Sequence, residues 1–281
     1  MSIKNHIFCR GANIKMIALV NSWLDYISLR CSLATYKTYR SAMQIFIDNL
    51  PLKTSPEDIT PMHIENFLQV VNQSHKETTT NAYLITIKTF YKWAESYCEL
   101  PNIATPVTEL KVPEFNRRIL SDEEYQAILE KAKGHAHNTI QFLANTGLRR
   151  NEFRFLAWAD FSAEFVRVIG KGSKTRYVPL NLTCQRTLGK DRSGNAPPFV
   201  EKYKPYNSLY KLCTYLSQKA NVPYFTPHSF RHFFATRLIK KGVPLMIVSK
   251  ILGHSNVQTT ESCYIHIMPQ DYQGVTDVLS E

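Results

Sequence analysis

The sequence predicts a mainly α-helical protein with one small β-sheet, built as two domains. Three observations carry this reading. From Asn13 to Tyr97 there is no glycine, and proline occurs only at Pro51, Pro56 and Pro61, so apolar residues recur at helical spacing with a single long interruption. From Leu100 to Leu120 that period lapses around Pro101, Pro106 and Pro113, the composition of an extended linker. Beyond it, two short runs rich in β-branched and aromatic residues stand among further helical patterns. A length of 281 residues agrees with two domains at ~150 residues each.

Taken in order, the first helix spans Asn13 to Leu29, with Ile17, Val20, Leu24 and Ile27 on one face. Leu33 to Leu50 forms a second, where Leu33, Tyr36, Met43, Phe46, Ile47 and Leu50 repeat near 3.6 residues while Lys37, Arg40 and Gln44 take other faces. Met62 to Val71 and Thr78 to Tyr97 complete four helices, enough for a small bundle. The boundaries expected are residues 1–100 for this helical domain, 101–119 for the linker and 120–281 for the second domain. The second domain opens on Ser121-Asp122-Glu123-Glu124, where the Ser hydroxyl and the Glu carboxylate can cap orphan backbone donors reciprocally. Phe165 to Ile169 and Arg176 to Leu180 read as two strands joined through Gly170-Lys171-Gly172-Ser173-Lys174-Thr175, a hairpin with a basic, glycine-flanked tip. Helical patterns resume at Tyr206 to Ala220, His228 to Lys241 and Leu245 to Leu252.

With 44% apolar and 20% charged residues, the chain has material for two cores, which excludes a disordered or collagen-like polymer. The net charge of +11 is unevenly spread: residues 141–250 hold 19 Lys and Arg against 5 Asp and Glu, and the rest of the chain sums to −3. A surplus confined to one segment points to a polyanionic partner bound there. The six cysteines stand 22 to 86 residues apart without a Cys-x-x-Cys pair, so they read as reduced, mostly buried thiols and not as a zinc site or disulfide frame. No apolar run near the start is long enough for a signal peptide or a membrane span, from which a cytoplasmic protein is expected.

Chemistry concentrates in five short stretches of the second domain: Thr146-Gly147-Leu148-Arg149, followed by Glu152; the hairpin tip with Lys171; His228-Ser229-Phe230-Arg231; Leu252-Gly253-His254; and Tyr264-Ile265-His266. Each alone has an ordinary explanation as a surface charge, a turn, a helix cap or a packing residue. Together they supply what phosphodiester cleavage needs. The planar Arg fork makes bidentate contacts to phosphate and stays charged. His228 and Arg231 leave one helix face at i, i+3, so a proton-transfer group and a phosphate clamp can address the same atom. A tyrosine hydroxyl, with a free pKa near ~10, becomes a nucleophile when cations lower it.

In this order the five motifs resemble the tyrosine recombinases, the phage integrases and Xer-type recombinases. The resemblance extends over nearly the whole chain, because the N-terminal helices, including Thr78-Thr79-Thr80-Asn81-Ala82-Tyr83 leading to Phe90-Tyr91-Lys92-Trp93, are similar to the family's SAM-like core-binding domain, and Leu120 to Glu124 resembles the opening of its catalytic domain. It implies that Arg149 and Arg231 hold the scissile phosphate and stabilise its pentacoordinate transition state. By the same resemblance His228 moves the nucleophile's proton, His254 hydrogen-bonds a phosphate oxygen, Lys171 protonates the departing 5′ oxygen, and Tyr264 forms the 3′-phosphotyrosyl link. Glu152 is read both as a supporting carboxylate that orients the cations and as a capping or solvated glutamate. No cofactor, ATP or metal is implied; His228 and His232 lie at i, i+4, but no His-Glu-x-x-His pattern surrounds them.

Duplex DNA, a homotetramer on paired DNA sites and accessory proteins are the partners implied. A C-terminal face of Tyr272, Val275, Val278 and Leu279 is open to two readings, docking on a neighbouring subunit or folding back on its own domain. One departure from the family pattern stands: the tyrosine usually follows the Leu-Gly-His histidine by nine residues, and here His254 to Tyr264 is ten. On a helix one extra residue turns a side chain by about 100°, so the Ser255 to Thr260 stretch is expected to absorb it as a loop. Tyr264 keeps the family's Tyr-x-His pattern; Tyr272 is the second choice. Two other readings remain beside an active recombinase: a non-cleaving DNA-binding relative, and a topoisomerase that relaxes DNA by the same chemistry. Integration of a mobile element and resolution of chromosomes are both open as roles.

Overall fold

A computed structural model describes residues 14–51, 54–113, 118–170, 174–190 and 192–253. The chain divides into two compact units, Met1–Phe115 and Asn116–Glu281. In the first, α1 (Ile14–Ser28), α2 (Leu33–Asp48), α3 (Pro61–Asn72) and α4 (Glu77–Cys98) surround one core. The inward faces follow from the sequence period: Val20, Trp23, Leu24 and Ile27 from α1, Met43, Phe46 and Ile47 from α2, Ile64, Phe67, Leu68 and Val71 from α3, and Leu84, Ile87, Phe90, Tyr91 and Ala94 from α4. Their starts are chemically defined. Ser32 Oγ accepts the Thr35 amide at 3.2 Å, and α3 begins on Pro61, whose fixed φ and missing N–H suit the first helical position.

The proline-bearing segment expected as linker packs in part on this bundle. Ala104 and Val107 are buried with the helices, and the Asn81 side chain both donates to Leu110 O (2.9 Å) and accepts from Leu110 N (2.8 Å). The prolines interrupt the helix without releasing the chain from the core.

The second unit holds α5 (Asp122–Lys131), α6 (His135–Thr146), α7 (Arg150–Arg154), β1 (Phe165–Ile169), β2 (Thr175–Pro179), α8 (Leu182–Leu188), α9 (Pro198–Lys202), α10 (Ser208–Lys219), α11 (Pro227–Lys240) and α12 (Leu245–Leu252). The capping box at Ser121 forms: Glu124 N donates to Ser121 Oγ (3.1 Å) and Ser121 N to a Glu124 carboxylate oxygen (3.0 Å). Helix α6 packs against α8, α9 and α11, and α11 also carries α12. The hairpin is antiparallel with Val166 opposite Val178 and Val168 opposite Arg176, so the pleat turns Val166, Val168 and Val178 inward with Arg176 on the same face. Cys184 and Cys213 are buried, which pushes their thiols up, Cys184 to about 12; Cys31 and Cys98 are only half-buried. No helix among the described residues is long and apolar enough to cross a membrane.

Candidate active site

Helix α6 ends at Thr146 because Gly147 takes φ +62°, a left-handed conformation that glycine adopts without a Cβ penalty. Space excludes a side chain as well, since a Cβ on Gly147 would stand 2.5 Å from Phe234 Cδ1. Leu148 is buried, and the chain re-enters a helix with Arg149 as N-cap of α7. Glu152, three residues on, receives the Arg149 amide at 2.7 Å and the Arg149 guanidinium Nη1 at 2.8 Å. Glu152 thus caps α7 and contacts a cation, and being buried it is not the solvated glutamate of the other reading.

A residue outside the five sequence motifs completes that arrangement. Arg176, on β2, donates through Nη1 and Nη2 to the two Glu152 oxygens, each at 2.8 Å, and through Nε to Ile251 O at 2.7 Å. Its signal was the strand alternation: Arg176 shares a face with Val178, and a cation turned inward requires a carboxylate. Burial pushes the Glu152 carboxyl up, but hydrogen bonds from Arg176 and Arg149 and the charge of Arg176 outweigh it and hold the group at about 2.

Arg231 comes from α11 and is only 2% exposed. It donates to Gly147 O at 2.9 Å and to Leu252 O at 2.6 Å. Arg149 reaches the same place, with Nη1 3.4 Å from Leu252 O and Nη2 3.2 Å from Gly253 O. Three successive carbonyls at the C-terminal end of α12, those of Ile251, Leu252 and Gly253, therefore receive three arginines. A helix C-terminus leaves such carbonyls without intrahelical partners and carries partial negative charge, so guanidinium groups are favoured there. The three arginines and Glu152 sum to +2. Arg149, with 37% of its side chain exposed, is the one turned toward solvent. An open cleft of about 350 Å³ lies beside it, lined by Phe155, Leu156, Ile169 and Gly170.

His228 stands exposed on the first turn of α11, its ring edge-on to the buried His232 at 4.7 Å. Among the described residues no three His, Cys, Asp or Glu side chains gather as a metal site would. The structure thus brings Arg149, Glu152 and Arg231 together with Arg176. Lys171, His254, Tyr264, His266 and Tyr272 lie outside the described residues. In the next position along the chain, half-buried Arg150 stacks over Tyr206 at 4.0 Å and donates to Tyr206 O.

Comparison with known proteins places the chain in a family. Residues 118–271 match the Phage integrase family and residues 20–96 match the phage integrase N-terminal SAM-like domain. A tyrosine recombinase XerD from Chlamydia muridarum (strain MoPn / Nigg) is 27% identical, over 89% of this chain and 91% of that protein. The fold is similar to that of a chain in the structure of a lambda integrase tetramer bound to a Holliday junction (TM-score 0.72, 18% identity, 88% of this chain and 77% of that one). It is equally similar to that of the Tn1549 transposon integrase in complex with circular intermediate DNA (TM-score 0.73, 18% identity, 92% and 98%). The matched catalytic and SAM-like regions, laid over the two units just described, establish that the chain belongs to the phage integrase family, the tyrosine recombinases.

Proposed function

We propose that this tyrosine recombinase cleaves and rejoins duplex DNA at specific sites through a 3′-phosphotyrosyl intermediate on Tyr264, without metal or ATP. The observation that supports it most is the convergence of Arg149 and Arg231 on the Leu252 carbonyl, two residues ahead of His254. A phosphate approaching this place would first meet the solvent-facing guanidinium of Arg149, already held in position, with the net charge of +2 behind it.

In the proposed reaction Tyr264 Oη attacks the phosphorus and its proton passes to His228. The bond to the 5′ oxygen breaks, Lys171 donates the proton that oxygen takes up, and Arg149, Arg231 and His254 hold the nonbridging oxygens. The phosphodiester energy is kept in the tyrosyl ester, so a 5′ hydroxyl from another strand can reverse the step and join new partners. Strand exchange, not hydrolysis, is the outcome. Relatives of the same fold are described as DNA-bound and, for lambda integrase, as a tetramer on a Holliday junction. We extend both properties to this chain: a duplex held mainly through its phosphates, and a homotetramer across two paired sites.

The test is a nicked suicide duplex carrying a candidate site, incubated without divalent metal with wild type and Tyr264→Phe and run on a denaturing gel. A covalent protein–DNA band with wild type and none with the variant supports the reading. A band with both moves the nucleophile elsewhere, with Tyr272→Phe next. Binding without a band on an authentic site favours a non-cleaving relative. Relaxed circles without recombinant joints on paired sites favour a topoisomerase.

A further inference from the structure

We infer that Arg176 is a positioning residue that neutralises Glu152 and so leaves Arg149 available to the scissile phosphate. The inference rests on the recombinase reading above, and it starts from an imbalance in how the two arginines share one carboxylate. Arg176 engages both Glu152 oxygens with parallel 2.8 Å bonds, whereas the Arg149 side chain touches one oxygen through a single nitrogen. The side chain of Arg176 is 11% exposed and that of Glu152 5%, against 37% for Arg149. The buried pair is therefore Glu152 with Arg176, and Arg149 stands at its outer edge.

Charge makes the consequence definite. A carboxylate this deeply buried must be paired. With Arg176 in place, the Arg149, Glu152 and Arg176 group sums to +1 and that surplus sits on the exposed guanidinium. Without Arg176, Glu152 and Arg149 cancel, and the vacated carboxylate oxygen draws Arg149 inward and away from phosphate. Arg176 is also kept from swinging out. Its Nε is held by Ile251 O, and Gly253, at φ +67°, lies over its side chain so closely that a Cβ there would be 2.8 Å from Arg176 Cδ. This gives the glycine of the Leu252-Gly253-His254 motif a second reason to be glycine. Because Arg176 belongs to β2, the same guanidinium fastens the hairpin that bears Lys171 to the end of α12. A lysine ammonium, a single point of charge, cannot serve both carboxylate oxygens and the Ile251 carbonyl together.

The experiment compares wild type, Arg176→Met, Glu152→Gln and Arg176→Met/Glu152→Gln in the full chain. It measures the affinity for a short duplex against salt concentration, and covalent capture on the nicked suicide duplex. Thermal melts check that each variant folds. Glu152→Gln alone lowers capture, because Arg149 loses its guide. Arg176→Met lowers capture on the order of 10²-fold and reduces the slope of log affinity against log salt by about 1, one phosphate contact. In the double variant Glu152→Gln has the opposite sign: it raises both from the Arg176→Met level toward that of Glu152→Gln alone, by removing the carboxylate that captured Arg149. If the double variant is as impaired as Arg176→Met or worse, Arg176 is only a scaffold residue and the inference is overturned. Should Arg176→Met fail to fold, Glu152→Gln is introduced into Arg176→Gln, which is neutral yet can still donate to Ile251 O; there the inference requires a gain and a scaffold role a further loss. An absent covalent band with wild type would sink the recombinase reading instead, while the salt slopes still decide the role of Arg176.

Discussion

Arg149 and Arg231 donate to one oxygen, the backbone carbonyl of Leu252, at 3.4 and 2.6 Å. They come from different places, the N-cap of α7 and the middle of α11, and the end of α12 is what registers them. Arg231 is nearly inaccessible and spans from Gly147 O to Leu252 O, so it ties the glycine of the first motif to the leucine of the fourth. Replacing it with alanine takes the donor from Gly147 O, leaves Leu252 O only the longer Arg149 bond, and opens a cavity. The expected cost is about 2–4 kcal/mol, read as a lower urea midpoint, together with loss of covalent capture. Arg231→Lys restores less than half of that stability, because one ammonium cannot reproduce the fork between two carbonyls. A wild-type urea midpoint in Arg231→Lys would show that the fork is not what holds the site.

A second prediction compares the motif glycine Gly147 with Gly242, a left-handed glycine outside the motifs. Gly147→Ala meets both a left-handed backbone and Phe234 at 2.5 Å, whereas Gly242→Ala, at φ +77° with nothing within 4 Å, meets only the backbone. The backbone alone costs about 1 kcal/mol, and the ring contact adds roughly 1–3 kcal/mol for a displaced core side chain. Urea denaturation should therefore rank Gly147→Ala clearly below Gly242→Ala. Equal midpoints would mean that the Phe234 contact yields freely.

Acid stability tests the Glu152 network. Its carboxyl sits at about 2 in the folded chain against an ordinary value of 4.5, so the folded state binds fewer protons than the unfolded one. The contribution to stability is fully present above pH 4.5 and is lost as pH falls through about 2. A shift of this size corresponds to on the order of 3 kcal/mol. Glu152→Gln cannot titrate, so the gap in unfolding free energy between wild type and variant should shrink between about pH 5 and pH 2.5. A gap that stays constant across this range would mean that Glu152 is not held low by its arginines.

How much of this was legible beforehand depends on the range of the interaction. Helices α1 to α4 show a sustained apolar period and were read within a few residues of their ends, as were α10, α11 and α12. Helices α7 and α9 are five residues each, too short to complete two turns, and α8 is only seven, so none of them carries a period to detect. Arg149, Glu152 and Arg231 were found because motifs name them. Arg176 was read as strand, and its partner Glu152 is 24 residues earlier while its acceptor at Ile251 is 75 residues later. Nothing local encodes such contacts; only the inward face it shares with Val178 pointed to them. The ten-residue spacing from His254 to Tyr264 lies outside the described residues.

The division of labour proposed between Lys171 and the arginines can be separated by the leaving atom. An alkoxide is a poor leaving group, since even water holds its proton up to about 15.7, so expulsion of the 5′ oxygen needs a proton donor. A thiol ionises near about 8.5 and leaves as the thiolate without one. With sulfur in place of the bridging 5′ oxygen, Lys171→Ala should recover covalent capture to within about tenfold of wild type, the acid it lacks being no longer required. Arg231→Ala should remain impaired on both substrates, because the nonbridging oxygens still develop charge that no donor meets. If sulfur rescued Arg231→Ala as well as Lys171→Ala, the two residues would share one task. If it rescued neither, Lys171 would act in binding and the proton would come from another group.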